Sequence, residues 1–285
     1  YTQDGRPGIF AHRAAPVQVG YLGFPGTLGT ERMDYLLADE FVVPPALRAH
    51  YAEQIVYLPD CFMVNGPRDA KEAAMPTRAS EGLPAEGFVF CCFNNAFKIE
   101  PRLFDVWMRL LGAVPGSVLW LRQTNAAAER NLRATAGAQG IDPARLIFAP
   151  MRARMADHLA RHRLADLFLD TLPYNAHTTA ADALWMGLLV VTCAGNAFAG
   201  RVAGSLLHTL GLDELITGDF AGYEALALRI ASDPPYATEL RAKLLRSLET
   251  TPLYDVPRFC SHLEAAYATM IGRWQSGEAP CGFSV

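Results

Sequence analysis

The sequence predicts an α/β protein built on a doubly wound parallel sheet. From about residue 87 onward, short apolar segments rich in β-branched or aromatic residues alternate with amphipathic stretches. Strands of near-continuous hydrophobicity are typical of a parallel sheet that helices cover on both faces. The chain has 285 residues, of which 51% are hydrophobic and 19% charged, so it can bury a sizeable core and is not a disordered chain.

Five strand–helix units in this region favour one doubly wound domain. The predicted strands are 87–93, 117–122, 145–149, 166–170 and 188–193, and the predicted helices are 101–113, 125–138, 153–163, 178–187 and 199–210. Three further helices are predicted at about 219–232, 236–248 and 256–274. Because the last of these lies outside the strand–helix alternation, it is expected to pack elsewhere.

The first 65 residues form a separate, smaller group of predicted elements. Strands are predicted at 17–23, 34–37 and 54–58, and a helix at 45–53. These elements have few apolar residues and look like the end of a second α/β domain. A stretch rich in proline, glycine and charge, at about 66–87, is the predicted linker.

Composition excludes several classes of function. The net charge of -4 gives no global basic field that would attract nucleic acid. The longest apolar run, at 183–193, is about half the length of a membrane-spanning helix, so no membrane partner is predicted. The six cysteines form no CxxC pair, which favours a reducing compartment, the cytoplasm.

The strongest local signal lies at residues 169–182, where an apolar strand ends, a loop follows and a helix begins near Thr178. In doubly wound sheets, ligands bind beyond the carboxyl ends of the strands. A helix N-terminus at that edge offers backbone N–H groups to a phosphate, and Thr178 and Thr179 can add hydroxyls. Asp182 lies one turn into the helix, within reach of a ribose hydroxyl. The alternative is an ordinary helix cap.

Two loops could complete such a site. The segment FNNAFK at 93–98 follows a strand at the same edge of the sheet, and Lys98 is a compact charge suited to a diphosphate. The glycine- and proline-containing loop at 21–29 would let backbone approach a ligand closely. The alternatives are a solvated lysine and a simple turn.

A third signal is the basic segment that follows the strand at 145–149. Arg154, His158 and Arg161 are spaced so that they share one helix face. His158 could stack on a base, and the arginines could meet ribose or phosphate oxygens. The alternative is a solvated basic face.

Several motifs are missing from the sequence. It contains no GxGxxG, P-loop or GxSxG motif, which removes the usual signatures of Rossmann oxidoreductases, NTPases and α/β-hydrolases. It contains no DxD pair and no zinc-type spacing, so no metal is predicted.

An ordered series of segments gives the pattern its specificity. The series is GFPGT at 23–27, FNNAFK at 93–98, VLWL at 118–121, LADLFLD at 164–170, HTTAAD at 177–182, LW at 184–185 and RVA at 201–203. It resembles the catalytic region of O-GlcNAc transferases, including their bacterial homologues, over nearly the whole chain. The resemblance implies a GT-B glycosyltransferase, with two Rossmann-like lobes and the donor between them. It also implies inverting transfer of GlcNAc from UDP-GlcNAc to protein Ser or Thr, with neither metal nor cofactor.

The resemblance further implies roles for the matching residues. Lys98 would contact the diphosphate, which His177, Thr178 and Thr179 would cradle through their amides and hydroxyls. Asp182 would bind the ribose. Lys98 and His177 are therefore the expected catalytic residues.

Other matching residues would surround the base and the sugar. His158 would stack on uracil, Arg152 would offer its backbone to it, and Arg154 and Arg161 would lie beside it. Asn95 stands where the family often has Gln near the ribose.

The sugar pocket would be lined by Pro25 and Thr27 from the other lobe. Tyr174 and Ala176 stand where animal enzymes have Cys and Gly. Because Tyr174 is bulkier than Cys, it is expected to reshape the pocket around the sugar.

The resemblance also assigns the parts of the chain. Residues 1–65 would be the end of the N-terminal catalytic lobe, 66–86 a linker, 87–255 the complete nucleotide-sugar-binding lobe and 256–285 a C-terminal helix that packs back on the first lobe. Since the chain starts at Tyr1, we expect the start of the N-terminal lobe, the family's tetratricopeptide repeats and a family His to lie outside it. The expected partners are then UDP or UDP-GlcNAc, a protein or peptide acceptor and that missing N-terminal half. The chain alone is expected to bind UDP without transferring sugar.

Other functions remain open at this point. They are a protein O-fucosyltransferase that uses GDP-fucose, which His177 argues against, and an N-glycosyltransferase that uses UDP-glucose. A non-catalytic UDP-sugar-binding module and a purely structural scaffold are the remaining alternatives.

Overall fold

Strands in the computed structural model, which describes residues 5–68 and 75–285, form two parallel sheets. The smaller sheet has the order β1-β2-β3-β10 and the larger sheet the order β6-β5-β4-β7-β8-β9. The strands are β1 (Val19–Gly20), β2 (Tyr35–Ala38), β3 (Gln54–Tyr57), β4 (Val89–Cys92), β5 (Val118–Arg122), β6 (Leu146–Ala149), β7 (Leu167–Leu169), β8 (Val190–Cys193), β9 (Ile216–Thr217) and β10 (Phe283–Ser284).

Helices follow most strands of the larger sheet and continue beyond it. They are α1 (Gly8–Ala11), α2 (Pro101–Ala113), α3 (Ala126–Ala138), α4 (Met155–Arg161), α5 (Thr178–Trp185), α6 (Val202–Thr209), α7 (Phe220–Ser232), α8 (Pro234–Thr250) and α9 (Val256–Gln275). Within the residues that the structure describes, no helix combines the length and apolar character needed to cross a membrane.

The larger sheet has its topological switch point between β4 and β7. From β4 the chain proceeds outward through β5 to β6, and then returns to β4's other side through β7. The four residues of β4 and the three of β7 are buried, because helices cover both faces of the sheet. The loops that follow these two strands diverge at the carboxyl edge, which is where doubly wound sheets bind ligands.

The smaller part of the chain departs from the sequence prediction. The strand predicted at 17–23 is only β1, because the chain turns through the glycine- and proline-containing loop that follows it. The helix predicted at 45–53 is a 3-10 helix, Pro45–His50. The prediction missed α1, β9 and β10, since such short elements carry no hydrophobic period.

The C-terminal helix α9 and strand β10 lie on the smaller sheet. Ala266 and Met270 of α9 pack with Tyr35, Leu37 and Val56 in one buried cluster. β10 pairs in parallel with β3. The chain therefore crosses from the smaller to the larger sheet after β3 and returns before α9.

Buried polar contacts join the two parts of the chain. Asp39, which follows β2, accepts hydrogen bonds from the Ser205 hydroxyl of α6 at 2.6 Å and the Phe62 N–H at 2.9 Å. The two chain crossings also meet, because Arg258 at the start of α9 forms an ion pair with Asp60 at 2.7 Å. The domain boundaries at residues 65, 86 and 255 stay a prediction.

Candidate active site

The candidate site lies at the switch point of the larger sheet. The loop after β4 carries Lys98, the loop after β7 carries Tyr174 and His177, and α5 begins directly after His177 at Thr178. The elements thus meet at one edge of the sheet, as the sequence predicts.

Asp170 organises the loop that follows β7. Its side chain is buried and accepts hydrogen bonds from the backbone N–H groups of Thr171 at 2.7 Å and Ala176 at 2.6 Å. The Thr192 hydroxyl donates to its other oxygen at 2.6 Å. Burial raises the pKa of Asp170 to about 6, against the effect of these donors. Asp170 was not among the predicted site residues, because in the sequence it reads as the last residue of an apolar strand.

Lys98 is a partly buried cation at this edge. Its Nζ donates to the carbonyl of Asn175 at 2.7 Å and lies 3.9 Å from the centre of the Tyr174 ring. Burial lowers the pKa of Lys98 to about 8, while the negative charge of Asp170 opposes that shift. Lys98 is therefore held by the loop after β7 and stays mostly protonated at neutral pH.

His177 and Tyr174 form a stacked pair beside Lys98. Their ring centres are 5.0 Å apart with an interplanar angle of 22°. Burial, and next the charge of Lys98, lower the pKa of His177 to about 4. The imidazole is therefore neutral at pH 7, so His177 can act through a hydrogen bond rather than through a positive charge.

The first turn of α5 lacks a side-chain cap, because His177 at the N-cap position makes no capping hydrogen bond. The first N–H groups of a helix have no acceptor within the helix, so this end can receive an anion. The hydroxyl of Thr179 donates to Asn94 Oδ1 at 2.5 Å. Of the two predicted hydroxyl donors, Thr179 is thus engaged by Asn94, whereas Thr178 is exposed.

A cavity of about 360 Å³ lies beside this turn. It is lined by residues of β5, β6, α4 and α5 and of the loops after β4 and β6, among them Phe93, Arg122, Arg152, His158, Arg161, Thr178, Thr179 and Asp182. The His158 ring lies 5.7 Å from that of Phe93 and 5.1 Å from that of His162. Burial, and next the nearby Arg161, lower the pKa of His158. This cavity can hold a flat ring against a neutral imidazole.

Two of the predicted basic residues are held by a carboxylate that the sequence prediction missed. Glu81 is buried and lies 2.6 Å from Arg152 Nη2 and 3.5 Å from Arg161 Nη2. Arg161 is itself 2% exposed and donates to the Pro150 carbonyl at 2.9 Å. The solvated basic face is therefore wrong for Arg161, which is buried and forms part of the cavity lining. Arg154 lies at the N-cap of α4.

Asn95 is exposed, while its neighbour Asn94 is buried and bonded to the site. Asn94 Nδ2 donates to the Thr171 hydroxyl at 2.7 Å, which in turn donates to the Tyr174 carbonyl at 2.6 Å. Sequence reasoning named Asn95 and missed Asn94, since two adjacent asparagines differ only in the direction that each faces.

A second cavity, of about 190 Å³, lies between the two sheets. Its lining includes Pro25 from the smaller part and Tyr174, His177 and Thr178 from the larger. Thr178 lines both cavities, so they adjoin at the first turn of α5. Thr27 is not part of this lining.

The Thr27 hydroxyl instead donates to Glu53 at 2.5 Å and accepts a hydrogen bond from the Gly29 N–H at 2.8 Å. Thr27 therefore holds the loop that presents Pro25.

Arg68 links the two cavities and was also missed from the sequence. It lines the smaller cavity and forms an ion pair with Asp182, which lines the larger one. Its carbonyl accepts a hydrogen bond from Trp185 Nε1 at 2.9 Å. The expected ribose ligand, Asp182, is thus oriented by a cation from the segment after β3.

The family model for glycosyl transferase family 41 matches residues 1–70 and 65–263 of this chain. The chain belongs to glycosyl transferase family 41.

Among curated relatives, it is 39% identical over 291 residues to the probable UDP-N-acetylglucosamine–peptide N-acetylglucosaminyltransferase SEC of Arabidopsis thaliana. That match covers 100% of this chain and 30% of the relative. The probable UDP-N-acetylglucosamine–peptide N-acetylglucosaminyltransferase SPINDLY of Petunia hybrida is 34% identical, with 98% of this chain and 30% of the relative covered. The chain thus spans about a third of the length of these relatives.

Solved structures agree with this family 41 assignment. The chain is similar to a Thermobaculum terrenum O-GlcNAc transferase mutant, with a TM-score of 0.82 and 35% identity over 92% of this chain and 49% of that one. The glycosyltransferase WaaG, at 15% identity and a TM-score of 0.54, covers 90% of this chain and 80% of its own and shares the fold alone. The predicted O-GlcNAc transferase family and the α/β GT-B fold are confirmed.

Proposed function

We propose that this family 41 chain forms the donor-binding region of an inverting, metal-independent glycosyltransferase. It would move GlcNAc from UDP-GlcNAc to Ser or Thr hydroxyls of a protein or peptide acceptor. The proposal rests on one observation above all. Lys98 and the uncapped first turn of α5 meet at the switch point, where two cavities adjoin at Thr178.

The charge that develops in the reaction explains this arrangement. When the bond between the sugar and the diphosphate breaks, the nucleotide leaves with additional negative charge on the diphosphate. Fixed N–H donors and a cation lower the energy of that state, and one such donor is typically worth about 3 kcal/mol. Lys98 would supply the cation, and the first turn of α5 would supply the N–H groups.

The two cavities suggest how the donor lies. The uridine would occupy the larger cavity, with its base against His158 and its ribose on Asp182. The sugar and the acceptor would occupy the cavity between the sheets, beside Pro25 and Tyr174. The diphosphate would then cross Thr178, between Lys98 and the start of α5.

We also propose the cytoplasm as the compartment. The six cysteines are all unpaired, and four of them are buried, as expected of reduced thiols.

A donor screen tests the proposal. Binding of UDP, UDP-GlcNAc, UDP-glucose and GDP-fucose is measured by calorimetry on this chain, and UDP release and acceptor labelling are measured with the protein at its natural full length. We expect UDP and UDP-GlcNAc to bind and UDP-GlcNAc to label the acceptor. Preferential binding of GDP-fucose, or binding without any turnover by the full-length protein, would contradict the proposal.

A matched pair of lysine variants sharpens the screen. Lys98→Met should lower turnover by about a hundredfold, because it removes the cation that faces the diphosphate. Lys243→Met is the control, since Lys243 lies on α8 in an exposed ion pair with Glu214 at 2.6 Å. Near-normal turnover in Lys98→Met would refute the assigned role.

A further inference from the structure

Asp170 is a buried carboxylate to which the proposed function gives no role. It is 1% exposed and accepts hydrogen bonds from Thr192, Thr171 and Ala176, and at a longer 3.4 Å from Asn94 Nδ2. All four donors are neutral groups. A buried charge is costly unless it is hydrogen-bonded or paired, so four donors on one carboxylate favour its ionised form.

The loop after β7 is hydrogen-bonded to both Asp170 and Lys98. The N–H of Ala176 donates to Asp170, and the carbonyl of the preceding residue, Asn175, accepts from Lys98. The Asn175 side chain also donates to the Thr171 carbonyl at 2.7 Å, which closes the loop on itself. Lys98 therefore contacts the loop that Asp170 folds, and the negative charge of Asp170 favours the protonated form of Lys98.

Asn94 extends this network to the start of α5. It donates to Asp170 and Thr171 through Nδ2, and its Oδ1 accepts the Thr179 hydroxyl. One chain of hydrogen bonds thus runs from the centre of the sheet to both groups that would meet the diphosphate.

We propose that Asp170 is a positioning residue of the donor site, which acts as the buried counter-charge of Lys98 and, through Asn94, fixes the first turn of α5. The role of Lys98 toward a diphosphate rests on the proposed function, whereas the electrostatic interaction between Asp170 and Lys98 does not.

The other titratable groups around Lys98 are neutral at pH 7. The thiol of Cys92, at the end of β4, has its pKa raised to about 12 by burial. The Tyr174 hydroxyl has a pKa raised by burial, and the pKa of His177 is lowered to about 4. Asp170 is thus the ionised side chain that keeps Lys98 protonated within the described part of the site.

The lysine content of the chain permits a direct test without any ligand. The sequence has three lysines, Lys71, Lys98 and Lys243, so protein labelled with ¹³C at lysine Cε gives few signals. Lys98→Arg assigns the Lys98 signal by its loss. Titration of the ligand-free protein should then place the Lys98 midpoint near the value of about 8 that its burial implies.

Two substitutions, one of Asp170 itself and one of a residue that donates to it, separate the effect of its charge from the effect of its hydrogen bonds. Asp170→Asn keeps the size of the side chain and removes its charge, so the Lys98 midpoint should fall by roughly one pH unit. Thr192→Val removes one hydrogen bond from the same carboxylate and so raises the pKa of Asp170 without removing the carboxylate, and the Lys98 midpoint should move less than in Asp170→Asn. Lys243, on the surface, should titrate alike in all three proteins.

If the Asp170→Asn protein does not fold, titration of the wild type still tests the proposal. There the Lys98 signal should show a second, smaller inflection near pH 6, where Asp170 takes up its proton. An unchanged Lys98 midpoint in folded Asp170→Asn, or the absence of that inflection, would overturn the proposal. Failure of the wild type to bind UDP would instead refute the proposed function and leave the titration result standing.

Discussion

Binding of UDP should be coupled to the uptake of a proton by Lys98. In the ligand-free protein, burial holds the pKa of Lys98 near 8, compared with an ordinary value of 10.5. A diphosphate placed beside the ammonium raises that pKa again, because a neighbouring opposite charge favours the charged form. The affinity that Lys98 contributes is therefore complete below pH 8 and is lost as the pH rises above that value.

The amount of proton uptake follows from the pKa of Lys98 in the ligand-free protein. With a midpoint of 8, Lys98 is about 90% protonated at pH 7 and about 10% protonated at pH 9. Binding should then take up about 0.1 proton at pH 7 and about 0.9 proton at pH 9. Over the same interval the Kd for UDP should rise about tenfold, or about 1.4 kcal/mol.

Calorimetry in two buffers of different ionisation enthalpy measures this proton uptake. His177, with a pKa of about 4, stays neutral between pH 7 and 9, and Asp170, with a pKa of about 6, loses only about 0.1 proton over that range. The terminal phosphate of UDP, with a pKa of about 6, likewise keeps about 0.1 proton at pH 7 and is fully ionised at pH 9, so the uptake at pH 9 is the value that reports on Lys98. Lys98→Met should bind more weakly and without proton uptake. A Kd that stays constant from pH 7 to 9, or an uptake near zero at pH 9 in the wild type, would refute this account of Lys98.

Four further predictions concern the site and the contact between the two parts of the chain. Asp182→Asn should raise the Kd for UDP about tenfold, as measured by calorimetry, because the ribose loses its acceptor. Equal UDP affinity in Asp182→Asn and the wild type would contradict the ribose role. Arg68→Gln should mainly lower the melting temperature, because it leaves the buried carboxylate of Asp182 unpaired. Tyr174→Ala should change the ratio of UDP-GlcNAc to UDP-glucose hydrolysis by enlarging the cavity between the sheets, and an unaltered ratio would remove Tyr174 from sugar selection. Ser205→Ala should lower the free energy of unfolding in urea by about 1–3 kcal/mol, since buried Asp39 loses a donor, and a change of only a few tenths would argue against a tight joint between the two parts.

The part of the site that sequence reasoning located depends on strand order alone. Lys98, Thr178 and Asp182 each follow a buried strand of a doubly wound sheet, and the carboxyl ends of parallel strands share one edge. The alternation of apolar strands and amphipathic helices therefore suffices to bring these residues together, although they are distant in the sequence.

The residues that were missed act through partners far along the chain. Asp170 reads as the end of an apolar strand, and only the fold shows its carboxylate turning back onto Ala176 and Thr192. Glu81 and Arg68 belong to a segment without hydrophobic periodicity. Nothing in the local sequence therefore predicts that Glu81 lies near Arg161 or that Arg68 forms an ion pair with Asp182. Sequence patterns indicate which edge carries the chemistry, but they do not identify the long-range partners of buried charges.

The two chain crossings connect the smaller and the larger part at one place. One crossing leaves β3 and the other enters α9, and Asp60 joins them through its ion pair with Arg258. The two crossings lie beside a shared core, because Leu36 and Val42 of the smaller part and Leu206 of the larger part belong to one buried cluster. Neither Asp60 nor Arg258 lines either cavity of the candidate site, so a substitution at this ion pair alters the connection between the two parts without touching any group proposed to bind the nucleotide.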